Sequence, residues 1–278
     1  MYIVEYHMKP IITWCILFIC ITITIYMAYT PFKRIHMIPP GFQYHIIPPK
    51  KYPTIMHLVL FSHGEEYDEM YNITKQYYQQ FHNVTTIYYT FSESNRDAYQ
   101  MDGILYLPGE ETYIPGILDK TIKAFEFVKD KSFDYLIRSN VSTIINFNNL
   151  SSIITQYPIT VGGGMVYKHT WGGKNHERYN TIYPHGTSMI LSKPMLMELL
   201  DEKDQINYNI IDDLEIGHVL EREYPSLPFY SFQHYFAYVD EKTNMDQLDY
   251  KNIIFYRNKS EDRKQDIQNM KEIVYRLS

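Results

Sequence analysis

The sequence predicts an α/β protein with a largely parallel central sheet flanked by helices, preceded by a transmembrane helix. Three observations support this fold class. From residue 54 onward, short apolar segments alternate with segments of helical spacing, which is typical of βαβ units. Residues 11–28 form an apolar run without a charged side chain, and residues 31–53 are rich in proline.

The N-terminal apolar run has the length of a membrane anchor. As a helix, residues 11–28 would reach roughly 27 Å, close to a hydrocarbon core of about 30 Å. A cleaved signal peptide is the alternative, but its apolar region is usually about 7–15 residues and ends in a small-residue cleavage site. We therefore predict a short tail over 1–10 and an uncleaved anchor over 11–29. Residues 30–53 are predicted to form a stem, because paired prolines favour extended, semi-rigid chain.

The composition of the protein bears on two properties of residues 54–278, their binding partners and their disulfides. The 278-residue protein has a net charge of −6 and no block of like charges, which disfavours a nucleic-acid partner. Its two cysteines, Cys15 and Cys20, lie in the apolar run, so the predicted domain over 54–278 contains no internal disulfide.

The domain over 54–278 reads as alternating elements through its first half and is less regular afterwards. Residues 161–168 and 170–192 are punctuated by glycine. The pattern predicts strands over 54–61, 84–91, 102–109 and from 133, and helices over 65–81, 113–130 (from about Ile117), 193–202, 210–223 and 260–278.

The stretch "FDYLIRSNVST" (133–143) begins as a buried strand and ends in polar side chains. In open α/β sheets, ligands bind beyond the carboxyl ends of strands. Arg138, Asn140 and Ser142 are therefore candidate site residues, with a polar loop that only caps the strand as the alternative.

Two carboxylates, Asp212 and Asp213, open the predicted helix over 210–223. Acidic residues there complement the helix dipole, which is one explanation for them. The other is that one of them accepts a proton in a reaction.

Several segments, taken in order, resemble the fringe and β-1,3-galactosyltransferase group of inverting glycosyltransferases. The similarity spans roughly residues 54–240. It is carried by "GEETYIPGILDKTIKAF", "FDYLIRSNVST", "PHGTSMILS", "IIDDLEIG" and "FYSFQHYF". The most specific pairing is "DDLEIG" following "ILS". The resemblance implies a GT-A fold, a nucleotide-sugar donor and a glycan, protein or lipid acceptor.

The resemblance also implies roles for individual residues. It places Asp213, or alternatively Asp212, as the base, and Asn140 and Ser142 at the family's Asp-x-Asp, which binds the sugar nucleotide and a divalent cation (Mn or Mg). Because hard cations favour charged oxygen ligands, this Asn-x-Ser departs from the pattern and puts the metal in doubt. Arg138 would then supply positive charge to the diphosphate.

Further donor and metal contacts follow from the same motifs. Lys120 lies on the Leu-Lys-Thr helix and is expected to reach a phosphate, unless it is an exposed helix lysine. His234 matches the family's late histidine, as a metal ligand or a proton-bearing partner, with a core or interface histidine as the alternative.

Glycine-containing loops supply the remaining candidates. Gly186 and Thr187 in "HGTS" are expected to approach the acceptor or donor closely, or to form only a turn. The glycines of "GGG" (162–164) and "WGG" (171–173) are expected to act as hinges of a lid, with Trp171 stacking on a sugar face.

These expectations define a membrane-anchored, inverting glycosyltransferase. A non-catalytic protein of the same fold that binds carbohydrate or nucleotide sugar is the alternative, favoured by the Asn-x-Ser. The function calls for a single-pass, type II protein with a lumenal domain, whereas Lys33 and Arg34 after the anchor slightly favour a cytosolic C-terminal side. Charge leaves the orientation open.

Overall fold

The computed structural model describes residues 34–41, 52–92 and 97–278. The predicted tail over 1–10 and anchor over 11–29 lie outside the described residues, as does part of the predicted stem. Among the residues that the structure describes, no helix combines the length and apolarity needed to span a bilayer.

The unit Ile35–Ser278 contains strands and helices in mixed order. In chain order, the strands of the described part are β1 (Ile35–Met37), β2 (Ile55–Leu60), β3 (Val84–Ser92), β4 (Tyr99–Met101), β5 (Ile104–Pro108), β6 (Tyr135–Asn140), β7 (Thr143–Ile145), β8 (Val161–Gly163), β9 (Val166–Lys168), β10 (Ile182–Pro184), β11 (Ser188–Ser192), β12 (Phe229–Ser231), β13 (Phe236–Val239) and β14 (Phe255–Asn258). The helices are α1 (Glu65–Tyr78), α2 (Gly116–Val128), α3 (Phe147–Gln156), α4 (Lys193–Asp201), α5 (Asp212–Glu223) and α6 (Arg263–Leu277).

A nine-stranded sheet in the order β1-β12-β8-β11-β6-β2-β3-β5-β4 forms the centre of the unit. Within this sheet, β4 and β11 run antiparallel to their neighbours, and the other strands pair in parallel with one another where they are adjacent. The predicted α/β class with a large, mostly parallel central sheet is therefore confirmed.

Strand β2 lies inside the parallel block β6-β2-β3-β5, with a parallel neighbour on each side. Its sequence, IMHLVL, is a nearly continuous apolar run, as expected for a strand buried on both faces. The polar exception, His57, is fully buried and has its Nε2 2.8 Å from Ser139 Oγ on β6. Burial lowers the pKa of His57 to about 3, so this histidine is neutral and hydrogen-bonded within the sheet.

Helices cover both faces of the sheet and bury two hydrophobic clusters. Alternate side chains of β2 divide between them, because successive residues of a strand point to opposite faces. Ile55 and Val59 pack with α1, α3 and α6, whereas Met56 and Leu58 pack with α2, α4 and α5. The second cluster thus anchors α5 and its two N-terminal carboxylates against the sheet.

A smaller sheet, in the order β13-β14-β7, lies next to the end of β6 in sequence and in space. Strand β14 pairs antiparallel with β7, which follows β6 after a two-residue turn, and parallel with β13. This pairing brings Arg257 on β14 opposite Thr143 and close to Ser142.

The nine predicted elements are all present, and their observed bounds differ from the predicted ones by a few residues at the ends. The structure corrects the predicted hinge at 162–164. Residues Val161–Gly163 form strand β8, which pairs with both β11 and β12. A Cβ at Gly162 would lie 2.6 Å from the Tyr230 carbonyl oxygen, so glycine is required there for close strand packing. Helix α3, strand β1, which lies within the predicted stem and pairs with β12, strand β4 and the short strands β7 to β14 have no counterpart in the predicted elements.

Candidate active site

A cleft of about 280 Å³ opens at the carboxyl ends of β2 and β6. Leu60 and Asn140, the last residues of these strands, both line it. The turn between β10 and β11 and the first turn of α5 form the opposite wall. The structure therefore brings together six residues that the sequence predicts as site residues: Arg138, Asn140, Gly186, Thr187, Asp212 and Asp213.

Arg138 links the walls of this cleft. Its guanidinium is buried, and its Nη2 lies 2.5 Å from Asp212 Oδ2 on α5. Its Nη1 donates to Asn140 Oδ1 at 3.1 Å and also to the Gly186 carbonyl oxygen. A Cβ at Gly186 would lie 2.6 Å from that Nη1, so only glycine allows the turn to approach the guanidinium this closely. The charge of Arg138 is thus neutralised by Asp212.

Asp213 is a buried carboxylate in the wall of the cleft, with a side chain 8% exposed. Its Oδ2 accepts a hydrogen bond from the Gly186 N–H at 2.9 Å, and its Oδ1 accepts one from the Leu214 N–H at 2.9 Å. Burial, with the nearby charge of Asp212, raises the pKa of Asp213 to about 6. A carboxylate with a pKa near neutrality is deprotonated at pH 7 and basic enough to accept a proton.

Close packing of α5 against β10 fixes the position of the two carboxylates. Gly217 makes this contact: a Cβ there would lie 2.3 Å from Tyr183 Cβ and 2.8 Å from the Ile182 carbonyl oxygen. The glycine of the "DDLEIG" motif therefore has a packing role, four residues after Asp213. Any larger side chain would push the helix, and the acid pair with it, away from the sheet.

Two cations from the end of β14 and the residue after it, Arg257 and Lys259, also line the cleft. Arg257 is 8% exposed, and its Nη1 donates to Ser142 Oγ. Arg257 also lines a second, smaller cavity of about 170 Å³, which shares Leu60 and Asn140 with the first. The two cavities therefore adjoin at the end of β6.

Aromatic side chains border the larger cavity. Tyr113 is 70% exposed and Tyr238 is 47% exposed, so both rings offer a face to a bound molecule. His185 also lines the cavity, and its Nδ1 lies 2.7 Å from Thr187 Oγ1. Burial, helped by the charge of Arg257, lowers the pKa of His185 to about 4, so it is neutral at pH 7.

The structure places the other predicted site residues apart from this cavity. Ser142 lines the smaller cavity. Lys120 is buried, with its Nζ 2.6 Å from Glu111 Oε1 and 3.2 Å from the Phe61 carbonyl oxygen. Trp171 is 82% exposed on the loop after β9, and His234 is exposed on a short 3-10 helix. The last three do not belong to the described lining of either cavity, so their predicted roles stay predictions.

A divalent cation finds poor ligands at the Asn-x-Ser. Asn140 Oδ1 already accepts from Arg138, and Ser142 Oγ already accepts from Arg257. Both oxygens thus face guanidinium groups, whose charge repels a cation. No group of three or more His, Cys, Asp or Glu side chains in the described ranges is arranged to hold a metal ion.

Sequence reasoning did not identify Arg257, Lys259, His185 and Tyr113 as site residues. The cations stand two residues apart in "YRNKS", a spacing that puts alternate side chains of a strand on one face. That spacing is a signal for the two cations, whereas His185 and Tyr113 lie inside "PHGTSMILS" and "GEETYIPGILDKTIKAF", two of the segments that carry the resemblance. The position of the two cations in the site depends on the pairing of β14 with β7, residues that lie more than a hundred positions apart in the chain.

Comparison with solved structures finds matches, one of which is a glycosyltransferase. No protein-family model matches the sequence, and no curated protein matches it. The solved structure is described as "Crystal structure of a glycosyltransferase involved in the glycosylation of the major capsid of PBCV-1". It has 15% sequence identity to this chain and a TM-score of 0.45, over 78% of this chain and 98% of that chain. A TM-score of this size does not establish a common fold.

Proposed function

We propose that the chain is an inverting glycosyltransferase with a GT-A-like fold, which moves a sugar from a nucleotide-sugar donor to a hydroxyl of a glycan, protein or lipid acceptor. The observation that carries the proposal is the buried Asp213, with its raised pKa, in a cleft at the carboxyl edge of a mostly parallel sheet. The ordered motifs that resemble the fringe group add support, because the cleft gathers their polar residues.

Asp213 acts as the general base in this proposal. Inverting transfer needs a group that removes the proton of the acceptor hydroxyl while the hydroxyl oxygen attacks the anomeric carbon. Asp213 is held by two backbone N–H donors, from Gly186 and Leu214, which orient its carboxylate. Asp212 has a different role, because its carboxylate pairs with Arg138 and positions that side chain. This assignment selects Asp213 over Asp212 as the base.

The tyrosines at the mouth of the cleft suit a sugar acceptor. Sugar rings present apolar C–H faces that pack on aromatic rings, while their hydroxyls need hydrogen-bond partners. Tyr113 and Tyr238 supply such faces, and Thr187 with its bonded His185 supplies polar groups. Which sugar and which acceptor bind depends on contacts of this kind.

The membrane anchor and the lumenal, type II orientation belong to the same proposal. Both rest on the sequence of residues 11–29 and its flanks. The anchor would hold the catalytic domain at the membrane where glycan, protein and lipid acceptors are presented.

A non-catalytic protein that binds carbohydrate or nucleotide sugar is the second candidate. The observation that favours it is the amide and hydroxyl at Asn140 and Ser142 in place of two carboxylates. A buried carboxylate with a raised pKa weighs against it, because binding alone needs no base.

Release of nucleoside diphosphate from a panel of nucleotide sugars separates the two candidates. The transferase should release it, faster with a sugar acceptor present, and Asp213→Asn should lower kcat by at least about a hundredfold. Glu215→Gln is not a suitable control, because Glu215 is buried against Arg178; exposed Glu241→Gln is the matched one. Binding of a nucleotide sugar without turnover, in wild type and both variants, would establish the binding protein instead.

A further inference from the structure

The cleft contains a buried cation without an acidic partner. Arg257 is more than nine-tenths buried, yet within the described ranges no carboxylate lies within ion-pair distance of its guanidinium. Its hydrogen-bond partner is the neutral Ser142 Oγ. Burial and the nearby positive charge of Arg263 lower the pKa of Arg257 to about 10, which leaves it charged at pH 7. Asp266 acts in the opposite direction, but its carboxylate is already paired with Arg263. A buried charge without an ion-pair partner of its own is costly, so this arrangement favours binding of an anion.

Lys259 extends this positive surface. It lines the larger cavity beside Arg257, and within the described part of the chain its ammonium group makes no hydrogen bond or ion pair. The other charges of the cleft do not compensate the two cations. Asp212 is already paired with Arg138, and the Asp213 carboxylate accepts hydrogen bonds from the Gly186 and Leu214 N–H groups and is not in ion-pair contact with either cation. His185 is neutral and adds no charge of its own.

The position of Arg257 matches the middle of an elongated ligand. It is shared by the two adjoining cavities, the larger containing the acid pair and the smaller lined by Ser62, Tyr67 and Arg263. In a nucleotide sugar, the diphosphate lies between the sugar and the nucleoside. A ligand whose sugar reaches Asp213 therefore has its diphosphate next to Arg257 if its nucleoside enters the smaller cavity.

We propose that Arg257 and Lys259 form the diphosphate-binding site of the cleft and take the place of the divalent cation that the resemblance implies. This inference rests on the proposed function. The guanidinium fork matches phosphate oxygens in pairs, and the ammonium group adds a point charge. Since Arg257 also occupies Ser142 Oγ, the same side chain that binds the anion excludes a cation from the Asn-x-Ser.

The two cations stabilise the leaving group during transfer. The bond between the acceptor oxygen and the anomeric carbon forms while the bond from that carbon to the phosphate oxygen breaks. The electron pair of the broken bond stays on the diphosphate, and the acceptor proton moves to Asp213. The departing diphosphate gains one negative charge, which Arg257 and Lys259 offset, so no proton has to reach it.

Calorimetric titration of the protein with inorganic pyrophosphate, uridine diphosphate and guanosine diphosphate tests this site. We expect binding of pyrophosphate and at least one nucleoside diphosphate, unchanged by a chelator. Arg257→Gln, which keeps a donor for Ser142, should weaken binding about 10- to 100-fold, as expected for hydrogen bonds to charged groups. Lys259→Gln should weaken it about two- to fivefold, in the range of exposed ion pairs. The matched control, exposed Lys264→Gln, should bind as wild type.

Several results would overturn the site. They are absence of pyrophosphate and diphosphate binding by the wild type, loss of binding on addition of chelator, and wild-type affinity in both Arg257→Gln and Lys259→Gln. If Arg257→Gln does not fold, two other variants test whether the cations bind the diphosphate. They are Arg257→Lys, which keeps the charge, and Lys259→Gln on the surface. Failure of the proposed function looks different: pyrophosphate then binds in an Arg257-dependent manner, but no nucleotide sugar turns over. Turnover that persists in both Arg257→Gln and Lys259→Gln would support the proposed function but rule out the diphosphate-binding site.

Discussion

Replacing Asp213 by asparagine should change how the stability of the protein depends on pH. The carboxylate is 8% exposed, and its pKa is raised to about 6 from the 3.8 of an ordinary aspartate. Between these values the folded protein holds a proton that the unfolded chain has released. The stability that the wild type has at low pH is therefore lost as the pH rises through about 6. Asparagine does not titrate, so the variant lacks this loss.

The size of the effect follows from the shift. A difference of about two pKa units corresponds to about 3 kcal/mol, at roughly 1.4 kcal/mol per unit. Asparagine also replaces one acceptor oxygen by an NH₂ group that faces either the Gly186 or the Leu214 N–H, at a cost of about 1–3 kcal/mol that does not vary with pH. The absolute stabilities of the two proteins are therefore similar at neutral pH. The pH dependence of their difference is the informative quantity.

Urea denaturation of both proteins at a series of pH values measures that difference. We expect the variant to gain about 3 kcal/mol relative to wild type between about pH 3 and about pH 8, with most of the gain below about pH 6.5. Asp240→Asn is a control of opposite sign, because the hydrogen bond from Thr243 lowers the pKa of Asp240. A difference between wild type and Asp213→Asn that stays constant with pH, or that changes in the direction of the control, would refute the assignment of a raised pKa.

Three further predictions concern packing, charge and acceptor binding. Gly217→Ala should destabilise the fold by about 1–3 kcal/mol in urea and reduce turnover, because its methyl group overlaps Tyr183; wild-type stability would disprove the close contact between α5 and β10. Arg138→Met should cost about 3–5 kcal/mol in the same assay, because Asp212 is left without its partner, and a loss below about 1 kcal/mol would argue against a buried pair. Tyr113→Ala should weaken sugar-acceptor binding about two- to tenfold without changing stability, whereas Tyr275→Ala, equally exposed on α6, should change neither; equal effects of both would remove the stacking role.

The elements that the sequence predicts correctly are those whose pattern is local. Strand β2 belongs to a nearly continuous apolar run between Thr54 and Ser62, and α5 begins with two acidic residues at its first turn, so both can be recognised from neighbouring residues alone. Strand β1 is three residues long and lies among prolines. It becomes a strand only because β12 offers an edge for pairing.

The site residues likewise divide into those with a local sequence pattern and those placed by long-range packing. Asp212 and Asp213, Arg138 and Asn140 stand at the ends of recognisable elements, where α/β sheets place ligands, and the structure brings them into one cleft. Arg257 comes from a four-residue strand whose position is set by long-range pairing. The sequence also does not show that the ammonium group of Lys120 faces Glu111, since this contact depends on how α2 packs on the sheet.

A crystal structure with an intact nucleotide sugar bound tests the central claim most directly, and the inactive Asp213→Asn protein is suited to it because the donor should persist. The account predicts that the anomeric carbon faces residue 213 in the larger cavity and that the diphosphate contacts Arg257 at the junction with the smaller one. A donor bound at any other surface, with this cleft empty, would contradict it.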